Sequence, residues 1–151
     1  MTESAPDLAP PGLLRRLAAM AYDGLLVLAL AFAVSALLLW TSGGRLGQPD
    51  RPLWLLWAHR IILVVSAWGF FAWFWLHGGQ TLGMRAWRLR LVANDGGAIT
   101  LGQTVRRFAG AALSLAAFGL GYLWILVDRK QRSWHDRLSG THLIVVPKHR
   151  Y

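Results

Sequence analysis

The chain has 151 residues, 55% of them hydrophobic and only 15% charged, with a net charge of +9 and no cysteine. A soluble domain carries about 25% charged residues, so this composition argues against a soluble globular domain. The lack of thiols removes disulfides, thiolate catalysis, cysteine-ligated zinc and lipoprotein attachment from consideration.

The length is that of one domain. Segment 1–12 is polar and contains Pro6, Pro10 and Pro11, which predicts a disordered cytoplasmic N-terminal tail. The remainder, 13–151, is expected to form the membrane domain. Its apolar residues fall in three blocks at about Leu17–Trp40, Leu53–Leu76 and Phe108–Val127. A helix needs roughly 20 mostly apolar residues to cross a bilayer core. The first two blocks reach that length, and the third only just does.

Block one is predicted to be a helix starting at Leu13 or Leu14. Arg15 and Arg16 followed by an apolar run and Ala29-Leu30-Ala31 imitate a cleavable signal. Asp23 within the run, and the run's continuation to Trp40, predict that the segment is retained. The stretch Thr41–Pro52 holds Gly43, Gly44, Gly47, Pro49 and Pro52 and reads as a loop. Block two ends at His77-Gly78-Gly79. The Gly-rich run His77–Gly83 superficially resembles a phosphate-binding loop but lacks the Gly-Lys-Ser/Thr ending, so a tight turn at the membrane surface is expected.

Beyond it, Trp87-Arg88-Leu89-Arg90-Leu91 alternates as a strand does. Asn94-Asp95-Gly96-Gly97 is a turn, and Thr100 with Gln103 forms a capping box that opens a helix. His142–Val146 is a second strand candidate. The two strands either pair into a small cytoplasmic sheet or lie as coil at the interface.

Basic residues flank the apolar blocks. This pattern points to membrane topology and anionic lipid headgroups, not to nucleic acid. The positive-inside rule places the N-terminus, the loop rich in Arg85, Arg88 and Arg90, and the C-terminal tail in the cytoplasm. Trp40, Trp54 and Trp57 would form the outer aromatic belt, with Trp73 and Trp75 near the inner face. Both flanks of the third block are basic, and Gly119-Leu120-Gly121 offers a bend. The block is therefore either a re-entrant hairpin or a third crossing. The predicted fold class is an all-α membrane protein with two transmembrane helices, this third apolar segment and short cytoplasmic strands.

Asp23 is the most informative single residue, because a carboxylate in an apolar helix costs about 2.5–3.5 kcal/mol at its centre. Arg16 lies seven residues earlier on nearly the same helix face. Two readings stand: a proton or cation site, or an ion pair that fixes helix packing. His135 beside Asp136 is a titratable pair, and His135 is a secondary candidate for the site together with Arg107 and Arg132, basic residues close to the third block. Few histidines, no cysteine and no paired carboxylates make a metal site unexpected. The absence of Gly-x-Ser-x-Gly and of a plausible triad argues against a hydrolase. No enzyme activity and no cofactor are expected.

Three separated stretches resemble the RDD family of small bacterial membrane proteins, named for one Arg and two Asp. They are Arg15–Asp23, then Gly79-Gln80-Thr81-Leu82-Gly83-Met84-Arg85 with Leu89–Val92, and Arg132–Thr141. Arg16, Asp23 and Asp136 stand at the signature positions; Tyr22 and Met84 depart from the usual Ile and Lys. The resemblance covers about Leu14–Val146. It implies a multi-pass protein of the bacterial inner membrane and transport of ions or small solutes, with sodium–proton exchange attributed to some members. No internal repeat is present, and alternating-access pathways commonly use paired repeats. A transporter of this size would therefore need a homo-oligomer or a membrane partner. The competing expectation is a non-catalytic scaffold or accessory subunit with a structural cluster of Arg16, Asp23 and Asp136.

Overall fold

The structure, a computed structural model, describes residues 10–147. The expected disordered tail lies outside the described residues over 1–9. Its last residues belong to the packed structure: Pro11 is fully buried, and its carbonyl accepts from Arg16 Nε at 3.1 Å.

Helix α1 (Leu13–Thr41) and helix α2 (Leu53–Leu76) pack against each other and are long and apolar enough to cross a membrane. At 1.5 Å per residue they extend roughly 43 and 36 Å. Arg16, Ala19 and Asp23 are the buried residues of α1. Their spacing of three and four residues puts them on one helix face, so the buried part of α1 is one stripe at its N-terminal end, while further along Ser35 reaches His59 of α2 at 3.0 Å. At the opposite end Trp40, Trp54 and Trp57 are exposed beside the connecting loop, the position expected of an aromatic belt. Trp75 does not join such a belt. It is buried, stacked on Phe71 at 5.3 Å between ring centroids, and lies in the core with Ala19, Met84, Leu89, Leu91 and Leu143. Trp73 is exposed.

After α2 the chain turns through Gly78 and Gly79 into the short helix α3 (Leu82–Ala86) and strand β1 (Leu89–Ala93). Strand β2 (Thr141–Val145) pairs with it antiparallel, Leu89 opposite Val145 and Ala93 opposite Thr141. The two predicted strands therefore do pair. The first starts two residues later than the alternation indicated, because Arg88 adopts a left-handed φ of 54° and interrupts the extended backbone. Leu89, Leu91 and Ala93 face inward while Arg90 is exposed.

Helix α4 (Leu101–Ala116) opens with the predicted Thr100–Gln103 capping box. It starts ahead of the third apolar block and takes in Arg106 and Arg107. A break at Ala117–Gly119, where Phe118 and Gly119 have φ of 55° and 79°, leads into helix α5 (Leu120–Leu123) and a 3-10 turn at Trp124–Leu126. The two arms are bent by 107°. Helix α6 (Trp134–Ser139) then returns along α4 and leads into β2.

Close approach of α1 and α3 depends on Gly83. A Cβ there would lie 2.3 Å from the Ala19 carbonyl oxygen and 2.8 Å from Asp23 Cγ. Backbone cannot yield as a flexible side chain would, so Gly83→Ala must push the elements apart. We expect a loss of about 1–3 kcal/mol, measured by thermal denaturation in detergent. Gly69→Ala, where the added Cβ meets nothing within 4 Å, serves as the control and should not lower the melting temperature.

Candidate functional site

The buried charges form two groups on one face of α1. In the first, Asp136 sits between two arginines. Its Oδ2 accepts from Arg16 Nη1 at 2.8 Å and its Oδ1 from Arg107 Nη1 at 2.7 Å. All three residues are at most 4% exposed. Asp136 also caps α6, where the Ser133 hydroxyl accepts from the Asp136 backbone N–H and Asp136 Oδ2 accepts from the Ser133 N–H.

The arginines are held in turn. Arg16 donates to the carbonyls of Pro11 and Gln131 at 3.1 and 2.9 Å. The Gln131 carbonyl is presented from a left-handed φ of 50°. Such a conformation is sparsely populated for a residue other than glycine and needs support from its surroundings. Arg107 donates to Thr141 Oγ1 at 2.9 Å and lies over the Trp75 ring, 5.5 Å from its centroid. Burial alone would push the Asp136 carboxyl up. The guanidiniums of Arg107 and Arg16 outweigh that and hold it well below the usual carboxylate range.

The second group contains Asp23. The sequence reading left Asp23 balanced by Arg16 or another basic residue, but Arg16 is committed to Asp136. Asp23 is instead held by neutral donors. Gly83 N–H donates to Oδ1 at 2.8 Å and the Thr81 hydroxyl donates to Oδ2. Thr81 also N-caps α3 by accepting from Met84 N–H. The whole Gly79–Gly83 run acquires roles in this way. Gly79 (φ 72°) turns the chain and accepts from Leu91 N–H, Gln80 donates to the Leu89 carbonyl, and Gly83 gives Asp23 access to a backbone N–H. It is a tight turn, as expected, and one built around a carboxylate of another helix.

His135 is buried beside Tyr122, with ring centroids 4.7 Å apart, and its Nε2 hydrogen-bonds Ser133 Oγ at 2.9 Å. Burial, together with the nearby Arg107 charge, pushes its imidazole down to about 3. It is therefore a neutral core histidine at physiological pH. Arg132 stands apart from the cluster: its backbone N–H donates to Asp128 Oδ2. Asp128, which sequence reasoning passed over, also pairs with Arg137. Among the described residues no group of three or more His, Cys, Asp or Glu is arranged to hold a metal ion.

Both charge groups border one cavity of about 390 Å³ between α1 and α4, with α2 behind it. Asp23, Thr81, Arg16, Arg107 and His135 contribute its polar lining. Phe71, Trp75, Phe108 and Tyr122 supply aromatic walls, and Val27 and Leu115 aliphatic ones.

Two helices of membrane-crossing length, joined at one end to a compact polar assembly that buries an Arg–Asp–Arg cluster, define a helical protein of the membrane type. The chain belongs to the RDD family, whose family model matches residues 10–140. It is also similar to the uncharacterized protein RP437 of Rickettsia prowazekii (strain Madrid E), 33% identical over 91 residues, which cover 60% of this chain and 49% of that protein. The chain thus spans about half the length of the curated relative it matches. No solved structure matches it.

Two measurements separate the roles of the charged groups. Asp136→Asn leaves two buried guanidiniums without their carboxylate and should lose about 3–5 kcal/mol, seen as a collapse of folded yield or melting temperature. His135 gives a pH signature. Its folded-state pKa lies below the unfolded value near 6.5, so the unfolded chain takes up a proton that the folded chain refuses. Stability is therefore full above about pH 6.5 and falls as pH drops toward 3, by up to about 1.4 kcal/mol per pH unit. Melting curves of His135→Gln should lose that component between pH 6.5 and 4. The Asp136 contribution is lost only below its ordinary value near 4, outside this window.

Proposed function

We propose that the protein is a small transport component of the bacterial inner membrane in which Asp23 carries the proton or cation, while Arg16, Asp136 and Arg107 form a fixed frame. The carrying observation is the contrast between two buried carboxylates. Asp136 has two guanidinium partners. Asp23 has a hydroxyl and a backbone N–H, no basic partner among the described residues, and a cavity beside it. A carboxylate within an apolar helix and without a counter-ion is a functional group by default. This reading is one of binding and movement, without catalysis.

The arginine-rich end, with both termini, faces the cytoplasm in this reading, and exposed Arg85, Arg88 and Arg90 meet anionic headgroups there. The third apolar segment enters from the cytoplasmic side and returns. Two observations support this. Strand β2, which follows the segment, pairs with β1, which precedes it. The backbone N–H groups at the bend also find partners within it: Phe118 to Leu115, Gly119 to Ser114 and Leu120 to Ala117. Irregular backbone at membrane depth requires such satisfaction. A pathway across the bilayer is completed by a second copy or a membrane partner.

The Arg16–Asp136–Arg107 cluster, with its carboxylate held by two guanidiniums, favours a second reading, a non-catalytic scaffold or accessory subunit. Flux measurements decide between the two. Protein reconstituted in proteoliposomes should move protons or sodium, and Asp23→Asn should lower that flux at least ten-fold while folded yield is retained. Flux unchanged in Asp23→Asn, or absent from the wild type, leaves the scaffold reading. For the topology, a reporter active only in the cytoplasm and fused after Tyr151 should be active; an inactive reporter in a folded fusion overturns the re-entrant path.

A further inference from the structure

We propose that the cavity beside Asp23 takes a lipophilic organic cation, an amine or quaternary onium ion with apolar substituents, whose charge is balanced by the Asp23 carboxylate. This inference rests on Asp23 being the loaded group and adds the chemical class of what loads it.

Three observations argue for an organic ion over a bare one. The first is coordination. Hard cations such as calcium and magnesium gather six or more oxygen ligands. Around Asp23 the protein offers one carboxylate and the hydroxyl of Thr81, and that hydroxyl is already engaged in donating to Asp23 and accepting from Met84 N–H. The second is size. A volume of about 390 Å³ falls in the range of pockets for small organic molecules, about 300–1,000 Å³, and is far larger than a dehydrated metal ion needs. The third is the lining. Phe71, Phe108 and Tyr122 bring aromatic rings to the same cavity, and Trp75 borders it with its faces taken by Arg107 and Phe71. Aromatic faces attract organic cations by their quadrupole and cover the apolar substituents as well.

The sign of the charge follows from what each charged group already holds. Arg16 and Arg107 border the cavity and would attract an anion if they were free. Arg16 instead donates to Pro11, Gln131 and Asp136, and Arg107 donates to Asp136 and Thr141 while covering the Trp75 ring. Both lie against the single Asp136 carboxylate, which leaves their cluster one net positive charge held in place by these partners. Asp23 has no cation against it among the described residues and is the carboxylate on the cavity wall with room for one. Access also suits a lipophilic ligand. Helices α1 and α4 each pack on α2, and the cavity lies between them. Its walls include Gly24 and Val27 of α1 and Ala112 and Leu115 of α4, so part of the wall is the apolar surface of these helices.

Tetraphenylphosphonium and tetraphenylborate have nearly the same shape and opposite charge, and they isolate the charge contribution. Equilibrium dialysis of each against the purified full chain, with a detergent-only blank, should show saturable binding of the phosphonium at least ten-fold tighter than of the borate. Excess sodium should not displace it. Asp23→Asn should weaken phosphonium binding at least ten-fold and bring the two ions level. Ala111→Phe, which narrows the cavity from the α4 side without touching Asp23, should weaken both ions. Borate binding as tightly as phosphonium, displacement by sodium, or no saturable binding overturns the proposal. The wild-type ratio and Ala111→Phe keep it testable if Asp23→Asn does not fold. A failure here with Asp23-dependent proton flux intact removes only the organic-cation class, whereas loss of that dependence removes the transport reading beneath it.

Discussion

The Asp136 carboxylate between Arg16 and Arg107 is the interaction on which the rest of the arrangement depends. One side chain ties the start of α1, the middle of α4 and the first turn of α6, elements separated by 120 and 29 residues in sequence. Each partner has a further anchor. Arg16 draws in Pro11 and Gln131, and Arg107 reaches Thr141 at the start of β2 and covers Trp75 of α2. Burying three charges is unfavourable unless every lone pair and donor direction finds a partner. Here the partners are contributed by different elements, so the cluster is satisfied only when those elements are docked together. Such a cluster contributes less to net stability than to the uniqueness of the docking.

Given that frame, Asp23 follows from geometry. It lies on the same face of α1 as Arg16, about two turns further along, and so meets α3, not α6. What α3 offers is its capped N-terminus: the Thr81 hydroxyl and the Gly83 N–H. Gly83 is needed because a Cβ would collide with the Ala19 carbonyl. The two carboxylates, one on α1 and one on α6, thus have different electrostatic surroundings. The carboxylate between two guanidiniums is locked in its charged form. The carboxylate held by neutral donors has no salt bridge among the described residues.

The long elements were legible in the sequence because their signals are local. The apolar runs of α1 and α2, the Thr100–Gln103 capping box and the alternation of Trp87–Leu91 each act over one element, and the structure has each, the strand beginning only at Leu89. The RDD motifs identified Arg16, Asp23 and Asp136. The pairing among them was not legible. Helix periodicity puts Arg16 and Asp23 on one face, which suggests that they compensate each other. Nothing in the local sequence reveals that a carboxylate 120 residues away reaches the arginine instead. Thr81 as the partner of Asp23 was missed for a related reason. A Thr that starts a short helix reads as a cap, and its second hydrogen bond, across to α1, has no sequence period. Arg107 was masked by position. Counted with the basic flank of an apolar block, it looked like a topological charge. Helix α4 starts before the block, at Leu101, so Arg107 sits within the helix and turns inward toward Asp136.

That displacement of Arg107 also bears on the third apolar segment. Counting charges alone gave two basic flanks and no means to choose between a crossing and a return. With Arg107 inside the assembly, α4 is tied to Asp136 at its middle, and the chain bends through Phe118 just past its C-terminal end. Its return arm packs back so closely that a Cβ on Gly121 would lie 2.4 Å from Ser114 Oγ. Phe118 is 96% exposed at the apex, a position that is tolerable in water only at a cost but favourable in a hydrocarbon environment. The same bend that keeps β2 beside β1 leaves α4 standing beside α1 without packing along it. The cavity is the space so left. A straight third helix packed along α1 would close it, and Asp23 would then have no open side. The bent path of the third segment and the open side of Asp23 thus both depend on one break at Ala117–Gly119.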